Sequence, residues 1–179
     1  RRPTGRRGGF PLAAPVRVNG TPRVTLRASL DGRSPYLTVL LVDYGERTRP
    51  TGRRADTGER VCYGEGVPGD DGCTTRQSLV TETAPYKIIT RGWLDARNRH
   101  DPARTEPLRP GRTYTFHWEL EPTDYTVEPG HRLGVIVLST DHDYTLRYPA
   151  GTEVTVEPGV SRVMLPLTGA GAKALKRAA

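Results

Sequence analysis

The side chains that could do chemistry are few and scattered. The serines, Ser29, Ser34, Ser78, Ser139 and Ser161, all fall in strand-like or turn-like stretches. A nucleophilic serine of the α/β-hydrolase type needs a G-x-S-x-G elbow, with Asp and His downstream; that pentapeptide is absent. Of the histidines, His117 falls on the polar phase of an alternating run, and His131 follows Pro129-Gly130 where a strand should start. His100 sits in a polar stretch. Asp141-His142-Asp143 is the one dense cluster. Its carboxylates are the hard oxygen ligands that calcium prefers, but the spaced ligand series of a calcium loop is missing, which favours a polar connection between strands. Glu119 with Glu121, and Asp70-Asp71, are the carboxylate pairs. Glycoside hydrolysis would need such a pair across a cleft, and the plainer reading is surface charge. Motif chemistry therefore assigns no catalytic residue, no metal ligand and no cofactor.

Cys62 and Cys73 flank VCYGEGVPGDDGCT, a Gly-, Pro- and Asp-rich segment. Two cysteines closing a short flexible loop point to a disulfide in an oxidising compartment, with two reduced thiols as the alternative. A zinc site would need more ligands than this pair offers, and no further His or Cys is close in sequence.

Charge is uneven. The chain carries a net +7, yet residues 1–60 alone hold 13 Arg against five acids. A nucleic-acid surface would want basic residues interleaved with aromatics that stack on bases. Here the stretches Arg1–Arg7 and Arg47–Arg60 are rich in Gly, Pro and Thr and hold no aromatic, Phe10 lying just beyond the first. Solvated loops explain them better, so no nucleic-acid partner is expected. No apolar run approaches the 18 or more residues of a membrane helix, nor the h-region of a signal peptide. The chain begins at Arg1 without Met, which reads as a processed or excised piece.

The elements that must position these residues are strands. Val24, Leu26, Ala28 and Leu30 alternate with polar residues, as do Tyr114, Phe116, Trp118 and Leu120, and then Val154 and Val156. Period two marks a strand with one buried and one wet face. Tyr36–Val42 and Leu133–Leu138 are more fully apolar and read as central strands, covered on both faces or packed at the middle of a sheet. Pro/Gly turns such as Arg109-Pro110-Gly111 and Glu128-Pro129-Gly130 separate the runs. The pattern predicts eight to ten strands, at about 16–18, 23–30, 36–43, 79–82, 86–91, 113–120, 132–139, 144–148, 153–157 and 161–167. Many short strands with such turns indicate an all-β, antiparallel β-sandwich or jelly roll. The expected organisation is a tail at 1–9, one domain at 10–169 with a long insertion at about 45–78, and a tail at 170–179. Tyr114, Trp118, Tyr125, Tyr144 and Tyr148 could line a sugar-binding face, although Tyr114 and Trp118 share the phase of core residues.

The order of segments carries a resemblance. Residues 14–45 (APVRVNGTPRVTLRASLDGRSPYLTVLLVDYG), 90–99 (TRGWLDARNR), 111–141 (GRTYTFHWELEPTDYTVEPGHRLGVIVLSTD) and 151–169 (GTEVTVEPGVSRVMLPLTG) together resemble the C-terminal domain of Xaa-Pro dipeptidyl-peptidases. The 111–141 block is also similar to one in cocaine-esterase-like acyl hydrolases. The resemblance covers about residues 9–169. It implies a jelly roll of the galactose-binding-like type, packed on the α/β-hydrolase domain of the same parent polypeptide and shaping the entrance for its peptide substrate. It implies that the family's Ser, Asp and His belong to that other domain, so no catalytic residue carries over. The cysteine loop departs from the family pattern and points to a secreted version. A carbohydrate-binding module, or the equivalent domain of an ester hydrolase, are the rival readings.

Overall fold

A computed structural model describes residues 11–32, 34–148 and 151–173. Among these, the regular elements are ten strands and one 3-10 turn. They are β1 (Val16–Gly20), β2 (Arg23–Leu30), β3 (Tyr36–Cys62), β4 (Cys73–Asp95), the 3-10 turn Ala96–Asn98, β5 (Thr113–Glu119), β6 (Thr123–Val127), β7 (Arg132–Leu138), β8 (Val154–Val156), β9 (Arg162–Met164) and β10 (Leu167–Thr168). No helix among the described residues is long and apolar enough to cross a membrane. The class is all-β with antiparallel pairing, consistent with a β-sandwich.

The chain divides into two compact units. One comprises the residues up to Gly45 together with those from Tyr86 onward; the other is Glu46–Pro85. Three sheets build the first unit, in the orders β10-β1-β6, β5-β2-β8 with β9 also on β2, and β4-β3-β7.

Register explains why alternation works here. On β2 and β5, Val24 faces Trp118, Leu26 faces Phe116 and Ala28 faces Tyr114, so apolar residues meet on one side. On the other side the pairs are Arg23 with Glu119 and Thr25 with His117. Slipping by one residue would turn the whole apolar set to solvent. Among the described residues two core clusters result: one in which Val18, Leu26, Leu37, Val39, Leu41 and Phe116 are buried, and a smaller one of Leu12, Val16 and Val127. Phe116 is the largest side chain enclosed in the first.

β3 is central, with β4 and β7 as neighbours, and Leu37 through Asp43 are buried on both faces, as the apolar run predicts. β7 differs from expectation. It ends its sheet and is only partly covered, with Val135 46% exposed. Residues 144–148 also differ: a turn at 142–144 and a bend at 145 lead into irregular backbone instead of a strand. The Asp141 carbonyl accepts from the amides of Tyr144 and Thr145, and the Thr145 hydroxyl bonds both the amide and the carbonyl of Asp141. Local side-chain to backbone bonding of this kind outcompetes a ladder.

The second unit, considered by itself, is a two-stranded ribbon. Residues 46–62 of β3 and 73–85 of β4 are in strand, so the segment read as a long loop narrows to a tip at 63–72. Thr48 bonds Thr83, Thr51 bonds the Val80 carbonyl, and Thr57 bonds the Arg76 carbonyl, the falling partner number marking an antiparallel pair. Cys62 and Cys73 are joined by a disulfide at the base of the tip, where the Tyr63 amide also donates to the Gly72 carbonyl at 3.0 Å. The Arg76–Glu59 ion pair crosses between the two strands, and Arg60 pairs with Asp71 of the tip.

Candidate functional site

The richest arrangement of polar and aromatic groups lies where β4 meets the segment after β7. Asp141 is 8% exposed, and its Oδ2 accepts from Arg91 Nη1 at 2.9 Å and from Trp93 Nε1 at 3.2 Å. Arg91 and Trp93 are two apart on β4, so they project to the same side of the strand. Tyr144 lies over them, with the Arg91 guanidinium carbon 4.1 Å from its ring centroid and the Trp93 ring stacked at 5.7 Å. Each contact of this kind adds about 0.5–1.5 kcal/mol beyond area burial. Further along, Tyr148 meets Tyr36 edge-on at 5.2 Å. The carboxylate thus holds a rigid base, and the segment above it presents Tyr144, Leu146 and Tyr148, at 61%, 75% and 38% exposure. Three large side chains within five residues of an irregular segment are thus left exposed.

A second cluster is buried. Asp43 is fully enclosed, its Oδ1 lies 2.9 Å from His131 Nδ1, and the Tyr125 hydroxyl donates to its Oδ2 at 2.8 Å. The His131 ring lies flat against Gly45, where a Cβ would come within 2.2 Å of it. An Asp–His pair is two-thirds of a catalytic triad, but among the described residues no serine hydroxyl is bonded to any histidine. The geometry is that of a buried carboxylate satisfied by donors. The signal available in the sequence was a single acid inside an apolar run, TVLLVDYG, and it was not singled out.

The other sequence candidates are dispersed. His117 is exposed and meets Thr25 across the β2–β5 pair. His142 pairs with Asp143, and His100 with Glu106. Among the described residues no group of three His, Cys, Asp or Glu side chains is arranged to hold a metal ion. Glu119 pairs with Arg23, and the Glu121 backbone bonds Arg91 and Thr90. Asp70 caps the ribbon tip by accepting from the Gly72 amide. Of the aromatics, Tyr114 and Trp118 pack against the core and the Tyr125 hydroxyl is tied to Asp43, leaving Tyr144 and Tyr148 outward. The five are not gathered on one sugar-stacking face.

Comparison with known proteins agrees with this picture. Residues 8–175 match the family described as the X-Pro dipeptidyl-peptidase C-terminal non-catalytic domain. A Streptomyces avermitilis protein named for Xaa-Pro dipeptidyl-peptidase activity is 34% identical over 185 residues, covering 98% of this chain and 27% of that protein. A Bacillus cereus protein of the same designation is 31% identical over 87% of this chain and 20% of its own length. Among solved structures, an alpha-amino acid ester hydrolase superimposes with a TM-score of 0.55 at 20% identity, over 89% of this chain and 24% of that one, a likeness of fold. The chain spans about a fifth to a quarter of the length of these relatives.

Proposed function

The chain belongs to the X-Pro dipeptidyl-peptidase C-terminal non-catalytic domain family, and from that premise we propose that it packs on the α/β-hydrolase domain of a secreted Xaa-Pro dipeptidyl-peptidase and shapes access of peptide substrates to its active site. The observation that carries the packing role is the exposed Tyr144–Leu146–Tyr148 segment on its Asp141-organised base. A surface pre-shaped by a buried carboxylate and left apolar suits a permanent intramolecular contact. Secretion is supported by the Cys62–Cys73 disulfide, since such bonds persist outside reducing compartments. We read the sandwich as a jelly roll of the galactose-binding-like type, because β1 lies between β10 and β6 and so joins the start of the fold to its end.

Hydrogen exchange tests the packing role. In the parent polypeptide the amides of residues 144–148 should exchange much more slowly than in this chain alone. Equal exchange in both would overturn it. This chain alone should not hydrolyse an Ala-Pro chromogenic substrate, and turnover blocked by a serine-reactive phosphonate would refute the non-catalytic role.

A further inference from the structure

Away from that surface, a cleft of about 680 Å³ is lined by Arg99, His100, Glu106, Arg109, Arg112 and Tyr114, among others. Its charge is unbalanced. Glu106 is the lining carboxylate, and both of its oxygens are occupied: Oε2 accepts from Arg99 Nη2 at 2.7 Å and Oε1 meets His100 Nδ1 at 3.0 Å. With His100 neutral, three guanidiniums against one carboxylate leave the lining at a net +2.

Arg99 is held in place, while Arg109 and Arg112 are exposed at the rim. The Arg99 side chain is 8% exposed and donates to the carbonyls of Ala96 and Glu106, while its Nε–H is buried without a partner among the described residues. The Tyr114 ring has Arg99 at 4.8 Å and Arg112 at 5.3 Å from its centroid. The Tyr114 hydroxyl accepts from the Arg109 amide at 3.0 Å, and the Arg112 amide donates to the Arg109 carbonyl, fixing the turn from which both arginines project. Among the described residues no carboxylate is bonded to Arg109 or Arg112. Guanidiniums clustered in a concavity repel one another and focus a positive potential. An oxyanion, carboxylate or phosphate, relieves that repulsion through forked charge-assisted hydrogen bonds.

We propose that this cleft is a binding site for a carboxylate- or phosphate-class oxyanion, clamped by Arg109 and Arg112 with Arg99 behind them. The anion has two possible sources: a free solute, or an acidic side chain of the remaining polypeptide. The second source rests on the packing role proposed above; the site itself does not.

Phenylglyoxal labelling of arginines, read by mass spectrometry with inorganic phosphate as the probe at constant ionic strength, tests it. At phosphate tenfold above its dissociation constant, labelling of Arg109 and Arg112 in this chain should slow about elevenfold by mass action, while labelling of the exposed Arg162 stays unchanged. An Arg109→Gln/Arg112→Gln variant should lose the phosphate-induced NMR shifts of the Thr113–Thr115 amides. Protection of neither arginine, or equal protection of Arg162, would overturn the site. In the parent polypeptide, protection without phosphate identifies a carboxylate of the remaining chain, and protection only with phosphate identifies a free anion; the former with unchanged exchange at 144–148 would retain the site while refuting the packing surface.

Discussion

His131 Nδ1 lies 2.9 Å from Asp43 Oδ1 and 3.1 Å from Oδ2, across 88 residues of sequence. This contact ties the start of β7 to the middle of β3, and the Tyr125 hydroxyl adds β6 to the same carboxylate. Replacing Asp43 by Ala removes the acceptor of both hydrogen bonds. Each such loss costs about 1–3 kcal/mol, so urea unfolding of Asp43→Ala should show a stability loss of about 3 kcal/mol. A loss under about 1 kcal/mol would mean that water replaces the carboxylate easily.

Gly92 is required by close approach. A Cβ there would sit 2.5 Å from the Glu119 carbonyl oxygen and 2.8 Å from the Leu120 Cα, both backbone. Gly92→Ala should therefore destabilise by about 1–3 kcal/mol. Gly159→Ala, with nothing within 4 Å of its Cβ, is the control and should leave the unfolding midpoint nearly unchanged.

The disulfide closes a short loop, with Cys62 and Cys73 separated by 11 in sequence. Loop-closure entropy makes its removal worth about 2–3 kcal/mol. In a Cys62→Ser/Cys73→Ser variant, amide exchange across residues 46–62 and 73–85 should accelerate accordingly. Exchange at Phe116, in the core of the other unit, should not change. Unaltered exchange in the ribbon would show that its ion pairs suffice.

Asp124 should titrate far below an ordinary carboxylate. Its hydrogen bonds from Arg17, then Asn19, lower its pKa from 3.8 to about 2. A folded-state pKa depressed below the unfolded value contributes stability that is present above about pH 4 and is lost as pH falls towards 2. Carboxyl NMR should place the midpoint near 2, and Arg17→Ala should return it towards 3.8. A midpoint already near 3.8 in the unaltered protein would show that the Arg17 pairing is not kept in solution.

Legibility in the sequence followed periodicity. β2 and β5 were readable because each alternates cleanly between Val24, Leu26, Ala28, Leu30 or Tyr114, Phe116, Trp118 and their polar neighbours. β6, Thr123–Val127, was missed, because Thr, Asp and Tyr beside Pro122 resemble a turn; its pairing with β1 across the full length of β1 supplies what local pattern lacks. Apart from 79–82, read as strand and found in β4, the ribbon is hidden for a related reason. Its faces carry Thr, Arg and Glu instead of an apolar stripe, so no period marks it as strand. The Asp141 cluster was seen only as a polar loop, because Arg91 and Trp93 stand about 50 residues away and nothing local links them to it. Tyr114 and Trp118 were correctly assigned to the core by their phase with Phe116.

β1 stands beside β10, with Arg17 opposite Thr168, and the Gly171 amide donates to the Pro15 carbonyl. The sandwich therefore receives and releases its backbone at neighbouring points. Neighbouring entry and exit strands are the geometry that tolerates insertion into another protein through a single attachment spot, or reopening at an outer turn such as Gly159.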